Sequence, residues 1–174
     1  MSTMKRILFS LAVACTSNLA AADEFIVHTV SWHSHKTYST DKVVFNAVNQ
    51  QWEYESLLYN NTNFGLGYLF KRPESALNNV AVGVYHNSQH AVSAYAAKFF
   101  MLPLTEGSQP VQFGAMLGGA TGYPHNRLGW KIMPLGAAVL KMPVTTKFNI
   151  TVLAAPTGID NGGVAHLAVS YSLR

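Results

Sequence analysis

Cysteine occurs once, at position 15, and charged residues make up only 11% of the chain. A soluble protein of this size carries about twice that share of charge. Although 49% of residues are hydrophobic, no stretch beyond the N-terminal region approaches the roughly 20 continuous apolar residues a membrane helix requires. Each scarcity excludes something. Cys15 falls in a segment expected to be removed, which leaves no thiol for a disulfide, a nucleophile or a zinc site. The formal charge of +4 falls to +2 without Lys5 and Arg6, and no basic stripe carries interleaved aromatics, so no nucleic-acid partner is expected. High apolarity, low charge and no helix-length run point to strands, not helices, facing lipid.

The N-terminus begins with Lys5-Arg6, continues through the apolar run Ile7 to Ala14, and reaches Ala20-Ala21-Ala22 ahead of Asp23. This order reads as a secretory signal peptide over residues 1–22 with an A-x-A cleavage site. A lipoprotein signal at Cys15 fits less well, because Ala12 stands where a branched aliphatic residue is usual. Residues 23–174, about 150 in all, suit a single domain.

That domain is read as all-β. Eight segments alternate apolar with small or polar residues: Glu24–Ser34, Asn63–Lys71, Asn79–Asn87, Val92–Met101, Val111–Ala120, Ile132–Leu140, Val144–Ala154 and Val164–Leu173. An even, closed set leaves no sheet edge, so the expected architecture is an eight-stranded antiparallel up-and-down transmembrane β-barrel. A soluble lipocalin-like barrel is the rival, with more outward charge expected of it. In the fifth segment Val111, Phe113, Ala115 and Leu117 form the apolar face, and Gln112, Gly114, Met116 and Gly118 the other. The third segment sets Val80, Val82 and Val84 against Ala81, Gly83 and Tyr85; the last sets Ala165, Leu167 and Val169 against His166, Ala168 and Ser170. An eight-stranded barrel is just wide enough to be filled by side chains or to hold one small ligand. Small inward residues, chiefly Gly83, Gly114 and Gly118 beside Met116, suggest a pocket for an acyl chain. Alternatively, Met116, Tyr85 and Tyr95 fill the bore and the small residues relieve curvature.

Up-and-down connection places Trp32 and His33, Asn87 and Ser88, Tyr123 to Arg127, and Pro156 to Gly163 on one rim. Residues 35–62 form the longest connection, polar and poor in strand signal, and its length marks it as functional or mobile. None of the seven histidines belongs to a metal motif, and rim solvation is the expected role for most. One constellation has chemistry. His33 and Ser88 share the rim; an imidazole can take the proton of a hydroxyl, and Asn87 or loop amides can face the resulting oxyanion.

Several short motifs are collinear with one family: Ser31-Trp32-His33, Tyr59-Asn60-Asn61-Thr62-Asn63-Phe64-Gly65-Leu66-Gly67, Gly83-Val84-Tyr85-His86-Asn87-Ser88, Ile132-Met133-Pro134-Leu135, and Ala155-Pro156-Thr157-Gly158-Ile159-Asp160-Asn161-Gly162. The chain resembles the lipid A palmitoyltransferases (PagP), eight-stranded outer-membrane barrels that move a palmitoyl chain from a phospholipid to lipid A. The resemblance implies that His33 and Ser88 are catalytic, and that Pro134 and Pro156 interrupt pairing between the sixth and seventh barrel strands, opening a lipid-access gap. From the residues alone, these prolines also fit simple strand termination. The family's catalytic aspartate is Asn87 here, its N-terminal amphipathic helix has no counterpart, and the chain ends Tyr171-Ser172-Leu173-Arg174 where such barrels commonly end on an aromatic residue.

The expected function is therefore acyl transfer from phospholipid to lipid A or a related glycolipid, in the bacterial outer membrane, by a monomer needing no cofactor and no metal. Two alternatives stand beside it. One is a non-catalytic lipid-binding barrel, suggested by Asn87. The other is a lipid A deacylase, suggested by the H-x-S spacing of His86 and Ser88, although no glutamate follows at a suitable distance.

Overall fold

The structure is a computed structural model that describes residues 22–71, 79–124, 131–157 and 162–173. The leader and Cys15, the Arg72–Leu77 turn, His125 to Arg127, and Asp160-Asn161 lie outside the described residues. The described residues contain ten strands and no helix. Eight close a barrel in the order β1 (Ala22–His33), β10 (Gly162–Ser172), β9 (Phe148–Thr157), β8 (Met133–Pro143), β7 (Gln112–Ala120), β6 (Val92–Pro103), β5 (Asn79–His86) and β4 (Thr62–Phe70), with β4 paired back to β1. Every pairing is antiparallel between chain neighbours, apart from the closing β1–β10 seam and the β1–β4 pair that flanks an insertion. The eight expected segments map one to one onto these strands. The largest boundary change is at the seventh: β8 runs on to Pro143, residues 144–147 make the turn, and β9 begins at Phe148.

The alternation divides the wall as expected. Phe25, Leu66, Val84, Phe113 and Leu117 stand exposed on the outer surface, while Ile26, Leu69, Ala81, Ala97 and Ala168 are buried in the bore. One strand breaks step. A β-bulge between His28 and Val30 adds a residue to β1, so Ser31 and His33 face inward and Trp32 faces out. Strict alternation from Glu24, Ile26 and His28 would have sent His33 outward.

The connection from His35 to Thr62 is not polar coil. It folds as a hairpin of β2 (Thr37–Asn46) and β3 (Gln51–Leu58). Cross-strand pairs make it: Phe45 meets Trp52 edge-on at 5.3 Å, Val43 is opposite Tyr54, and Lys42 pairs with Glu55 at 3.3 Å on the other face. Asn46 Oδ1 accepts from the Val48 amide, and Asn46 Nδ2 donates to Glu53 at 3.0 Å, holding the turn. Hydrogen bonds from Asn46 and Asn49 keep the Glu53 carboxyl below the usual carboxylate range. The apolar run Val43-Val44-Phe45 and the alternation of Trp52-Glu53-Tyr54 were present in the sequence, but a polar Asn/Gln turn and Ser/Thr flanks diluted them.

At the barrel end away from His33, Glu24 is buried between Lys71 at 2.7 Å and Lys141, and it accepts from Ser170 Oγ at 2.7 Å. Lys141 comes from β8, so the ion cluster spans the bore and forms its floor. Its two lysines differ in burial, at 12% exposed for Lys141 and 36% for Lys71. Glu24 keeps Lys71 when Lys141 is removed, so the loss falls short of that for an unpaired buried charge, while the place of the exposed partner is taken by water. Lys141→Ala should therefore lower stability by roughly 2–3 kcal/mol and Lys71→Ala by no more than about 1 kcal/mol. Urea unfolding of the barrel in lipid vesicles measures both.

Candidate functional site

Above the ionic floor the bore holds a cavity of about 590 Å³, within the roughly 300–1,000 Å³ range of ligand pockets. His33, Ser88, Tyr38, Tyr59 and Tyr123 line its mouth, and Glu24 and Lys141 close its base. Met116, Tyr85 and Tyr95 lie on its wall without filling it. Of the four residues expected to shape an acyl pocket, Met116 lines the cavity, while the three glycines are positions of close approach within the wall. A Cβ at Gly83 would sit 2.5 Å from the Tyr95 ring. At Gly118 it would meet Ala97 at 2.6 Å, and at Gly114 the backbone of Phe100 at 2.8 Å.

The wall is incomplete on one side. Pairing of β8 with β9 stops at Ala138 opposite Ala154, yet β8 remains paired to β7 as far as Met133, and β9 to β10 as far as Thr157. Residues 133–137 of β8 and 155–157 of β9 thus lack each other. Pro134 and Pro156 occupy these two edges, have no N–H to donate, and both line the cavity. Both prolines stand within their strands, so they interrupt the wall and do not end it.

The bulge delivers His33 to the mouth, and its neighbours fix the ring. Tyr59 stacks on it at 4.0 Å with planes 8° apart. Ser31 Oγ donates to Asn63 Oδ1 at 2.5 Å, so its single proton is spent. The contact of Ser31 Oγ with His33 Nε2 at 3.2 Å is then one in which the imidazole N–H donates. Nδ1 is left as the basic nitrogen, buried and, among the described residues, without a hydrogen-bond partner. A hydroxyl reaches that nitrogen only when His33 or a neighbouring side chain shifts, because the atom is covered. The Ser31–Asn63 pair holds the imidazole in this orientation.

Ser88 reaches the same mouth: the Asn60 amide, one residue after the ring stacked on His33, donates to Ser88 O at 2.8 Å. His33 and Ser88 are thus joined through Tyr59-Asn60, and no direct hydrogen bond links them among the described residues. Asn87 has a different role from the one expected. It is fully buried, Nδ2 donates to Ser93 Oγ at 2.9 Å and to Gly122 O at 2.5 Å, and Oδ1 accepts from the amides of Gln89 and Ala91. Both donors are engaged, so Asn87 ties the loop that carries Ser88 to the neighbouring strands and has no N–H left for an oxyanion.

Two further histidines belong to the bore, His28 buried and His166 half-buried. His28 and His166 line the cavity, with His28 Nδ1 2.9 Å from His166 Nε2 and His28 Nε2 2.9 Å from Tyr95 OH. The place of His166 on the polar face of the last strand was the available signal. Tyr85 and Tyr123 share a 2.6 Å hydrogen bond beside them, and burial holds the Tyr123 phenol well above its ordinary range, in its protonated form. His86 and His90 are outside the cavity, with rings 6.3 Å apart; His86 accepts from Asn60, and His90 Nε2 contacts Leu58 O.

An aspartate at position 87 would face Gly122 O with a carboxylate oxygen and lose two donated hydrogen bonds. Asn87→Asp and Asn87→Ala should each cost about 1–3 kcal/mol and loosen the Ser88 loop, read as a fall in urea midpoint together with faster amide exchange at Gln89 to Ala91. The chain matches no family model, and no curated protein matches it either.

Proposed function

We propose that this protein is an outer-membrane acyltransferase of the lipid A palmitoyltransferase type, moving an acyl chain from a phospholipid to lipid A or a related glycolipid. The observation that carries the reading is the cavity of about 590 Å³ with His33 and Ser88 at its mouth and an unpaired flank at Pro134 and Pro156. An acyl chain is long, thin and apolar, and a closed bore with a side opening suits it. The outward apolar residues supply a surface for lipid, which supports an outer-membrane location after leader removal.

The donor's acyl chain lies in the bore, with its ester carbonyl at the mouth. His33 Nδ1 takes the proton of the acceptor hydroxyl as that oxygen bonds to the carbonyl carbon. The tetrahedral intermediate then expels the lysophospholipid oxygen, which receives the proton back from His33. Ser88 donates to the carbonyl oxygen where negative charge develops. Cavity depth, set by the Glu24 floor, limits the length of chain accepted.

Lipid A from cells expressing the protein should gain the mass of one acyl chain, and His33→Ala and Ser88→Ala should reduce that product roughly 100-fold or more. Loss of a chain instead would identify a deacylase. Unchanged lipid A would leave a lipid-binding barrel, the reading that Asn87 favours. Continuing the β8–β9 register would pair Gly136 with Pro156. A disulfide between cysteines at these two positions should therefore stop transfer, and reduction should restore it.

A further inference from the structure

The row His166–His28–Tyr95, with the Tyr85–Tyr123 pair beside it, brings polar groups into the middle of the bore and is not used by the transfer chemistry above. The inward residues of β1 run from the mouth as His33, Ser31, His28, Ile26 and Glu24, so His28 stands midway between the base and the ionic floor. At a strand rise of about 3.3 Å per residue, it lies roughly 15 Å along β1 from His33. Below it the wall returns to Ile26, Leu69 and Met101.

Both nitrogens of His28 are taken, one by His166 Nε2 and one by Tyr95 OH. A neutral imidazole has one donor and one acceptor, so the row has two arrangements. In one, Tyr95 donates to His28 and His28 to His166, which leaves an N–H at His166 Nδ1 and lone pairs at Tyr95. In the other every bond reverses, and the free proton is at Tyr95. Either way the row offers the cavity one donor at one end and one acceptor at the other. The two ends are too far apart for one hydroxyl to bridge, but a hydroxyl that meets the Tyr95 end donates to the phenol oxygen in one arrangement and accepts from it in the other. A methylene does neither, and a saturated chain packed there would strip water from both ends of the row without replacing its hydrogen bonds.

We propose that His166, His28 and Tyr95 form a subsite for an oxygen carried on the acyl chain, so that the bore takes a mid-chain hydroxylated acyl group in preference to a saturated one. This rests on the acyl-binding reading of the bore and names the class of chain it prefers.

The test uses the full chain refolded into phospholipid nanodiscs, with barrel closure checked by heat-modifiable gel migration. Hexadecanoic acid and a series of hydroxyhexadecanoic acids, with the hydroxyl moved stepwise along the chain, compete against a fluorescent fatty acid. One chain position should bind about tenfold more tightly than the saturated acid, the worth of one net hydrogen bond. Tyr95→Phe, which removes only the phenol oxygen, should erase the preference while hexadecanoic acid still binds. Equal binding of all acids, or a preference that survives Tyr95→Phe, would overturn the subsite and leave the acyl-binding bore standing. No binding of any acid would overturn both. If Tyr95→Phe does not fold, the positional series in the unaltered chain still decides.

Discussion

In a closed barrel every residue of a strand must face either the bore or the exterior, and one extra residue reverses all that follow. The bulge between His28 and Val30 imposes that reversal on β1. It sends His28 and His33, five positions apart, to the same side of the wall. Without it the base would point out of the barrel, beside Phe64 and Leu66, and Trp32 would occupy the mouth. The cost is local, an unpaired residue and a sharper twist. Its consequence is that one strand supplies the floor ion Glu24, the buried His28 and the mouth base His33 to a single cavity.

Eight strands leave little interior, and how it is divided determines the cavity. Tyr95 lies against Gly67 and Gly83, whose missing side chains let its ring draw back toward the wall. The tyrosine is thereby accommodated without obstructing the bore, and glycine acts as a recess for an aromatic ring more than as open space. At the base, three charges are gathered instead of dispersed. A single buried carboxylate between two lysines is satisfied across the barrel's width and closes the base of the bore. Between its two polar ends the cavity wall is mainly apolar, with the His166–His28–Tyr95 row and the Tyr85–Tyr123 pair as the polar groups along it.

The period-two pattern made the barrel legible from the sequence, because facing is a property of alternate residues and needs no knowledge of partners. Val80 to Tyr85 and Phe113 to Leu117 face as their pattern indicates. What alternation cannot reveal is where it slips. No residue type marks the bulge at Thr29, so the inward turn of His33 was legible only through likeness to a motif. The β2–β3 hairpin was missed for a related reason: its apolar face is short, and its bulge between Ser39 and Val43 breaks the repeat. Asn87 was placed on the right rim, but its role depends on Ser93 and on Gly122 in another loop, which no local pattern links to it. Pro134 and Pro156 could be read as ends or as interruptions; only the continued pairing on their outer sides distinguishes these.

In the transfer proposed above, Asn87 stands where the family that the chain resembles has an aspartate, and this bears on how the imidazole of His33 is held. An amide buried with two donors and two accepted bonds is complete in itself, and a carboxylate in that place would confront a carbonyl. Orientation of His33 falls instead to Ser31 and Asn63, which sit on β1 and β4 and are hydrogen-bonded within the wall. Strand residues hold position better than loop residues, so the base is oriented by the more rigid element. A neutral pair gives an imidazolium less stabilisation than a carboxylate would. On the proposed mechanism, the proton would then be held less tightly on His33 Nδ1, which slows its removal from the acceptor hydroxyl and speeds its return to the leaving oxygen. Such a site would favour the second half of the proposed transfer at the expense of the first, and would depend on Ser88 and the cavity walls to fix the ester while the first half proceeds.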